Sequence, residues 1–533
     1  MAVKPIKTPF TSMSYTPDIP SAALAQEEYN VGHNVETDVR GINSVAGDEE
    51  IMNSISGNVI FTTSGFRNNN LYWFVIATRE GNWYAENTAG VTNVTPTANT
   101  YISNTYINSQ TITASWSGQT LIVNDGVNPP MWLGPTDTEF NLYSNNSGAN
   151  VSYQWNYNTN WTKLRSGFVR LYSSPNVGSL LIAGNLQAET VANTVTSLPT
   201  TVRWSQSFGL NEVPLTWTPT ITNVANELEV PVRGPVIDGF PVNGNFYVCS
   251  YWDTVVFSPI QYTTTAAPVF GVRLINQGRG LLNENCWANA DDVVYGLDAR
   301  DIWVFNGGSF KSLGNQRVKN YFYENLNPTY ANMTFMINNT SKNQIEIYYA
   351  DLSSTGYCNK MLAYRYDLNV WQPPRDVSKA ISATESPIWS GNSSYNIASR
   401  TIVYAQGGTP GSKLVQKDRG TSFLNGAPIP TLFQRDNISF GQPYSYKVQV
   451  HRILPEVVGT GNVNVTVGGS DSVGANITYK PTVEMAINTQ YPWVQIDQND
   501  QRVVSVKVET NSNASSYTMT AINWQNTIIE DDR

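Results

Sequence analysis

The sequence predicts an all-β protein, and three observations carry that prediction. The first is composition. Charged residues make up only 14% of the chain and aromatics 12%, with 29 Tyr and 15 Trp. The charged share is well below the roughly one quarter of an ordinary soluble domain, and polarity comes instead from Asn, Ser, Thr and Gln. β-branched and aromatic side chains fit a pleated surface, and Asn, Gly and Pro supply the turns between strands. The second observation is rhythm: from residue 51 to 435 short strand candidates follow one another as hairpins, with Gly, Asn or Asp in most connections. The third is strict period-two alternation after residue 436, where Val463, Val465 and Val467 enclose Asn464 and Thr466. That period means sheets with one wet face.

Taken in order, residues 1–50 read as an extended N-terminal arm punctuated by Pro, with a short helix near Ser21–Glu28 and an opening hairpin around Asn34–Asp48. Residues 51–435 read as a β-propeller with inserted loops. Its hairpins include Leu71–Thr78 with Gly81–Glu86, Thr111–Trp116 with Thr120–Asn124, and Asn245–Ser250 with Thr254–Ser258. Further pairs are Ser179–Ala183 with Thr201–Ser205, Asp292–Gly296 with Asp301–Asn306, and Gln344–Ala350 with Met361–Tyr366. A very large sandwich has a similar rhythm. Four strands per blade and about 40–50 residues per blade give roughly six to eight blades. Regular WD or kelch repeats are absent, and only Tyr364–Trp371, Gly307–Gly308 and Gly407–Gly408 look kelch-like, so the propeller is irregular. Residues 436–533 read as a separate β-sandwich with a short acidic tail, Glu530–Asp532.

Several function classes fall away. The net charge is -9, which gives no basic footprint for gripping nucleic acid or anionic lipid. Cys249, Cys286 and Cys358 are few, odd in number and widely spaced, so they form neither a disulfide framework nor a zinc site. No apolar run is long enough for a membrane helix. The first twenty residues lack an apolar h-region, so Sec-type export is not expected. With only His33 and His451, a catalytic triad or a His-based metal centre is poorly supplied. The Gly407–Lys413 stretch lacks the Gly-Lys-Ser/Thr order of a phosphate loop. Asp125, Asp253, Asp291, Asp292, Asp298 and Asp301 could in principle supply a glycosidase pair. All lie near turns, where Asp caps the backbone. The expectation is a protein that is no enzyme, with no cofactor and no metal.

One segment points to contact. Phe140–Trp161 holds Tyr143, Tyr153, Trp155, Tyr157 and Trp161 among Asn and Ser. Rigid rings amid small polar residues give contact area at low entropy cost. The segment therefore reads either as a partner or channel-mouth contact or as a hairpin tucked over the core.

A series of motifs in fixed order resembles one family. They are Asn34-Val35-Glu36 with Gly41-Ile42 and Gly47, then Trp116 to Trp132 with its Asn-Asp-Gly turn and Pro129-Pro130-Met131-Trp132. Val202-Arg203-Trp204-Ser205 and Trp217 follow, then Ile237–Asn245 leading into Phe246–Phe257, and Val293–Asp298 with Ile302–Gly308. Across nearly its whole length the chain resembles the β-propeller nozzle proteins of short-tailed bacteriophages, also called tail tubular protein B or packaged-DNA stabilisation proteins. The resemblance implies a structural virion protein, made in the host cytoplasm and placed in the phage tail. Copies would form a homomeric, sixfold ring at the distal end of a short tail. The ring would continue the DNA channel below an adaptor protein, retain packaged DNA and open for ejection, with tail fibres or spikes docked on it. Duplex DNA would pass without specific binding through a neutral to acidic lumen, since phosphate-neutralising cations would add friction, and the protein would insert in no membrane itself. The alternative is a carbohydrate-binding or glycan-hydrolysing propeller of receptor-binding or depolymerase type.

Overall fold

The computed structural model describes residues 4–51, 55–68, 70–98, 100–103, 112–146, 151–260, 269–390, 394–408, 413–424, 426–440, 446–472, 474–489 and 493–529. The acidic tail and the middle of the Gly407–Lys413 turn lie outside them. Each hairpin expected from the sequence is present as a pair of adjacent antiparallel strands. Five four-stranded sheets follow in sequence at residues 59–93, 113–142, 161–229, 236–277 and 287–312. Their middle strands are buried on both faces, as in Thr120–Asn124, so they read as apolar runs without alternation.

A seven-stranded sheet completes the propeller. Its strand Val370–Trp389 pairs with Cys358–Arg365 up to Ala380 and with Tyr395–Gln406 from Ala380 onward. One strand thus forms the outer edge of blade 6 and the inner edge of blade 7. Blade 7 is completed by Leu414–Lys417 and by Asp48–Ile51 from the N-terminal region. Among the described residues this makes seven blades, within the expected range. Side-chain bonds join the inner strands around the axis. Trp116 Nε1 donates to Thr63 between blades 1 and 2, Thr113 to Val169 O between 2 and 3, and Arg170 to Asp238 between 3 and 4. The circle continues with Trp287 Nε1 to Asp238, Asn338 to Asn289 O, the Thr340 amide to Glu385, and the bond between Ser64 and Thr384.

The C-terminal unit is a sandwich of two antiparallel sheets. One is built on Lys447–Thr460, Val494–Gln501 and Ser516–Ile529, the other on Thr431–Ile438, Asn462–Ser470 and Val503–Thr510. The alternating valines face inward, with Val463, Val465 and Val467 all fully buried. Its first strand begins at Thr431, five residues before the expected boundary at 436, because Leu432 and Phe433 pair with the N-terminal residues His33 and Gly32.

The N-terminal region departs most from expectation. Instead of an extended arm it is threaded through both units. Lys4–Pro9 and Ile42–Ser44 pair with Ser516–Ile529, Val31–His33 joins the second sandwich sheet, and Asp48–Ile51 closes blade 7. The expected helix near Ser21–Glu28 is one 3₁₀ turn, Ser21–Ala23. Phe10, Tyr15 and Tyr29 pack with Trp371 of the propeller and Phe433 of the sandwich, so the two units share one core. A seven-residue helix, Lys319–Asn325, has no visible period in the sequence, and its first amides are capped from afar by Asp18 through Asn320 N and Tyr321 N, each at 2.8 Å.

A buried ionic cluster fixes this threading. Arg375 Nη2 lies 3.0 Å from Asp48 Oδ1 and its Nη1 lies 2.5 Å from Asp418 Oδ1. Lys342 joins Asp418 at 3.0 Å and Glu36 at 2.7 Å. Lys417 pairs with Glu346, both side chains wholly inaccessible. Glu346 also accepts from Asn339, Gln344 and Tyr348, each at 2.7 Å, and Tyr404 donates to Asp48 at 2.8 Å. Burial pushes Asp418 and Glu346 up, yet the facing cations more than offset it and hold both below the ordinary carboxylate range. At Asp48 burial wins and its carboxyl is raised.

Candidate functional site

A cavity of about 710 Å³ opens at the seam between blades 2 and 3. One wall is aromatic. Met131–Leu133, the third strand of blade 2, carries Trp132, whose ring lies 4.6 Å from Tyr153 and 4.9 Å from Tyr143 between centroids. Tyr153 sits at φ 54°, a left-handed conformation that is a true outlier for a bulky residue. Its neighbours impose it. Tyr153 O accepts from Ser144 N at 2.8 Å, while Gln154 N donates to Leu215 O and Gln154 O accepts from Trp217 N. The opposite wall comes from the start of Trp161–Ser174, where Lys163 and Arg165 stand two residues apart on one strand face. Both reach Glu189, at 3.1 and 3.6 Å. Glu139 lines the cleft from the end of blade 2 and accepts from Thr97 N and Oγ1 at 3.0 and 2.9 Å.

The five aromatics expected to meet a partner separate into two groups. Tyr143 and Trp155 are 1% and 0% exposed. Their polar ends are spent internally, Tyr143 Oη on Pro214 O and Trp155 Nε1 on Leu164 O. As contact residues of the free surface these two are corrected: the blade connector crosses over blade 3 and turns them into its core with Trp217. Tyr153, Tyr157 and Trp161 remain half-buried, and only Tyr153 faces the cleft with Tyr143. Tyr157 instead covers Arg203. The guanidinium lies 4.9 Å from the Trp155 ring and 4.8 Å from the Tyr157 ring, fully buried, with Nη1 donating to Trp155 O at 3.1 Å. Burial lowers Arg203, and burial together with its bond to Glu227 raises Tyr157. Trp132, Lys163 and Arg165 were not singled out as site residues. The Pro-Pro-x-Trp motif and the i, i+2 cations were the available signals. Residues 147–150 of the segment lie outside the described residues.

The propeller axis is plugged. Phe61, Phe335, Met336 and Ile381 leave a cavity of about 130 Å³ there. Asn285, at φ 63°, stitches the plug together: its N–H bonds Asp238, its Oδ1 accepts from Arg170, its Nδ2 donates to Ile112 O, and its carbonyl accepts from Met336 N. The adjacent Glu284 is pushed up to about 7 by burial and by the charge of Asp238.

The turn aspartates behave as caps. Asp125 accepts from Val127 N and Asn128 N, and Asp298 from Arg300 N and Asp301 N. Asp253 pairs with Arg233, and Arg279 bridges Asp298 and Asp301. His33 bonds Asp376 at 2.8 Å and His451 bonds Thr527 at 2.9 Å. All three cysteines are buried thiols. Among the described residues no group of three His, Cys, Asp or Glu could hold a metal, and no helix is long and apolar enough to cross a membrane. The arrangement offers a binding cleft with fixed walls.

No protein-family model and no curated protein matches the sequence. Among solved structures, the chain is similar to the computationally designed Ika8 protein, with 9% identity, a TM-score of 0.34, and coverage of 69% of this chain and 99% of that one. It is also similar to BamB from Moraxella catarrhalis, with 12% identity, a TM-score of 0.31, and coverage of 77% and 100%. At these values the likenesses carry no functional weight, and the propeller follows from the sheet topology itself.

Proposed function

We propose that this chain is a structural virion protein, the nozzle subunit of a short phage tail, working as a closed homomeric ring that continues the DNA channel and retains the genome until ejection. The observation that carries the reading is the threading of residues 4–51 through both sandwich sheets and the last blade. A part that closes a pressurised conduit must not open under load. Here sandwich and propeller cannot part without stripping several strand ladders and the Asp48–Arg375–Asp418 cluster. The opening motif of the family resemblance sits in this seam. Asn34 bonds Asp376 and Pro430 O, Glu36 bonds Lys342, and a Cβ on Gly41 would lie 2.1 Å from Met519 O.

The plugged axis adds a constraint. A duplex cannot run through one propeller, so the conduit lies between copies. A heterologous interface whose rotation closes makes such a ring; the resemblance favours six copies, with an adaptor above and fibres or spikes beside. The test is native mass measurement of the protein with its neighbours in purified tails, paired with imaging of those tails. One ring of this chain around the channel is expected; a trimer with fibrous ends would replace the reading with a spike or fibre. Duplex gel shifts across salt concentrations should show weak binding, and tight, steeply salt-dependent binding would overturn the sliding conduit.

A further inference from the structure

We propose that the cleft between blades 2 and 3 is a binding site for a neutral oligosaccharide. The inference stands on the cleft and does not depend on the ring. Its volume of about 710 Å³ falls within the range of roughly 300–1,000 Å³ typical of small-molecule sites. Trp132 and Tyr153 form a tilted pair, with centroids 4.6 Å apart and planes at 40°. Trp132 is buried behind this pair and Tyr153 is partly exposed, so the Tyr153 ring is the one left to meet the apolar C–H face of a pyranose, which carries a rim of hydroxyls around it. Across from the rings stand Lys163, Arg165 and Glu139. Their charges are balanced by count, because Glu189 pairs with both cations and Glu139 adds a second carboxylate to the same lining. A balanced wall has no net field to select an ion. Its donors and acceptors instead suit hydroxyls, each of which donates once and accepts twice.

The walls are also fixed before any ligand arrives, which limits the ordering cost of binding. Asn156 Nδ2 ties Asn145 O to Trp161 O at 2.9 and 2.6 Å, and Asn145 Oδ1 accepts from Leu164 N at 3.0 Å. The left-handed Tyr153 is held by bonds from Ser144 and on either side of Gln154. Backbone strain of this kind concentrates at ligand clamps. It holds the Tyr153 ring in the cleft lining, against Trp132.

The experiment is calorimetric titration of the full chain with maltotriose and chitotriose, and with tetragalacturonate as the acidic probe. Saturable binding of at least one neutral trisaccharide is expected, weakened about tenfold or more by Tyr153→Ala and by Arg165→Gln. Arg165→Gln keeps the fold, so its thermal melt should match the parent and its loss of affinity reads binding alone. Trp493→Ala, which removes an exposed ring stacked by Arg452 on the sandwich, should leave affinity unchanged. No saturable heat with either neutral sugar at millimolar concentration would overturn the proposal. So would parental affinity in the two cleft variants, or tighter binding of tetragalacturonate that Arg165→Gln abolishes.

Discussion

The ionic cluster around Arg375 and the cleft beside Trp132 are both rich in charge and aromatic rings, and they do opposite things. In the cluster every charged group faces another charged or hydrogen-bonding group, and Lys417, Glu346 and Arg375 have almost no exposed surface. In the cleft Lys163, Arg165 and Glu139 have partners on one side and open volume on the other. Buried charge that is fully paired locks a fold and offers nothing to a ligand. Charge that is half-paired beside a rigid aromatic wall leaves hydrogen-bonding capacity to spare.

Substitutions should separate the two regions, the largest effects coming from the cluster and the blade 3 core. Lys417→Met strands Glu346 without its cation, and breaking a buried pair from one side costs about 3–5 kcal/mol. Urea unfolding should show a loss of that size. Trp155→Ala should cost about as much, roughly 3–5 kcal/mol for a large buried aromatic, and it also exposes Arg203. A loss in urea unfolding under about 1 kcal/mol would return Trp155 to the surface reading.

Acid should weaken the cluster next. Burial raises Asp376, but bonds and charge from His33 and Lys360 more than offset it, so Asp376, Asp418 and Glu346 all sit below their unfolded values. Their stabilisation is present above the unfolded carboxylate range of about 4 and is lost as pH falls through the folded values. Asp48 is raised and contributes with the opposite sign. Melting temperature should therefore drop below pH of about 4, with hydrogen exchange at Leu414–Lys417 rising first. On the neutral side, Glu284 is pushed up to about 7, so its contribution is lost as pH rises through that value. Glu284→Gln should flatten the melt between slightly acidic and slightly alkaline buffer. The smallest effect belongs to the cleft: Arg165→Gln should change stability by no more than about 0.5 kcal/mol.

Local pattern made much of the fold readable. Val463, Val465 and Val467 announce a sandwich strand, and the turn at Ser117–Gly118–Gln119 announces a hairpin. What stayed hidden depends on distance along the chain. Nothing local tells Asp48–Ile51 that it will pair with Leu414–Lys417, or that Val370–Trp389 will serve two blades. The aromatic segment shows the same limit. Alternating Tyr and Trp among Asn gives contact-like composition, but whether Trp155 or Tyr153 points inward is set by the crossing with Leu215 and Trp217. Lys163 and Arg165 had the spacing of a shared face, yet their cleft needs Trp132 from the neighbouring blade.

The threading of the N-terminal region has a consequence for synthesis. Thr8 accepts from Trp524, 516 residues away, and Lys7 bonds Glu456 across 449. Residues synthesised early are thus among the last to find their places. Until the final strands emerge, both sandwich sheets present open edges, the surfaces most prone to wrong pairing. Such long-range closure is intrinsically slow. Nascent chains halted before residue 503 should stay protease-sensitive at both ends while blades 1 to 5 are already resistant, so that the molecule matures from its middle outward.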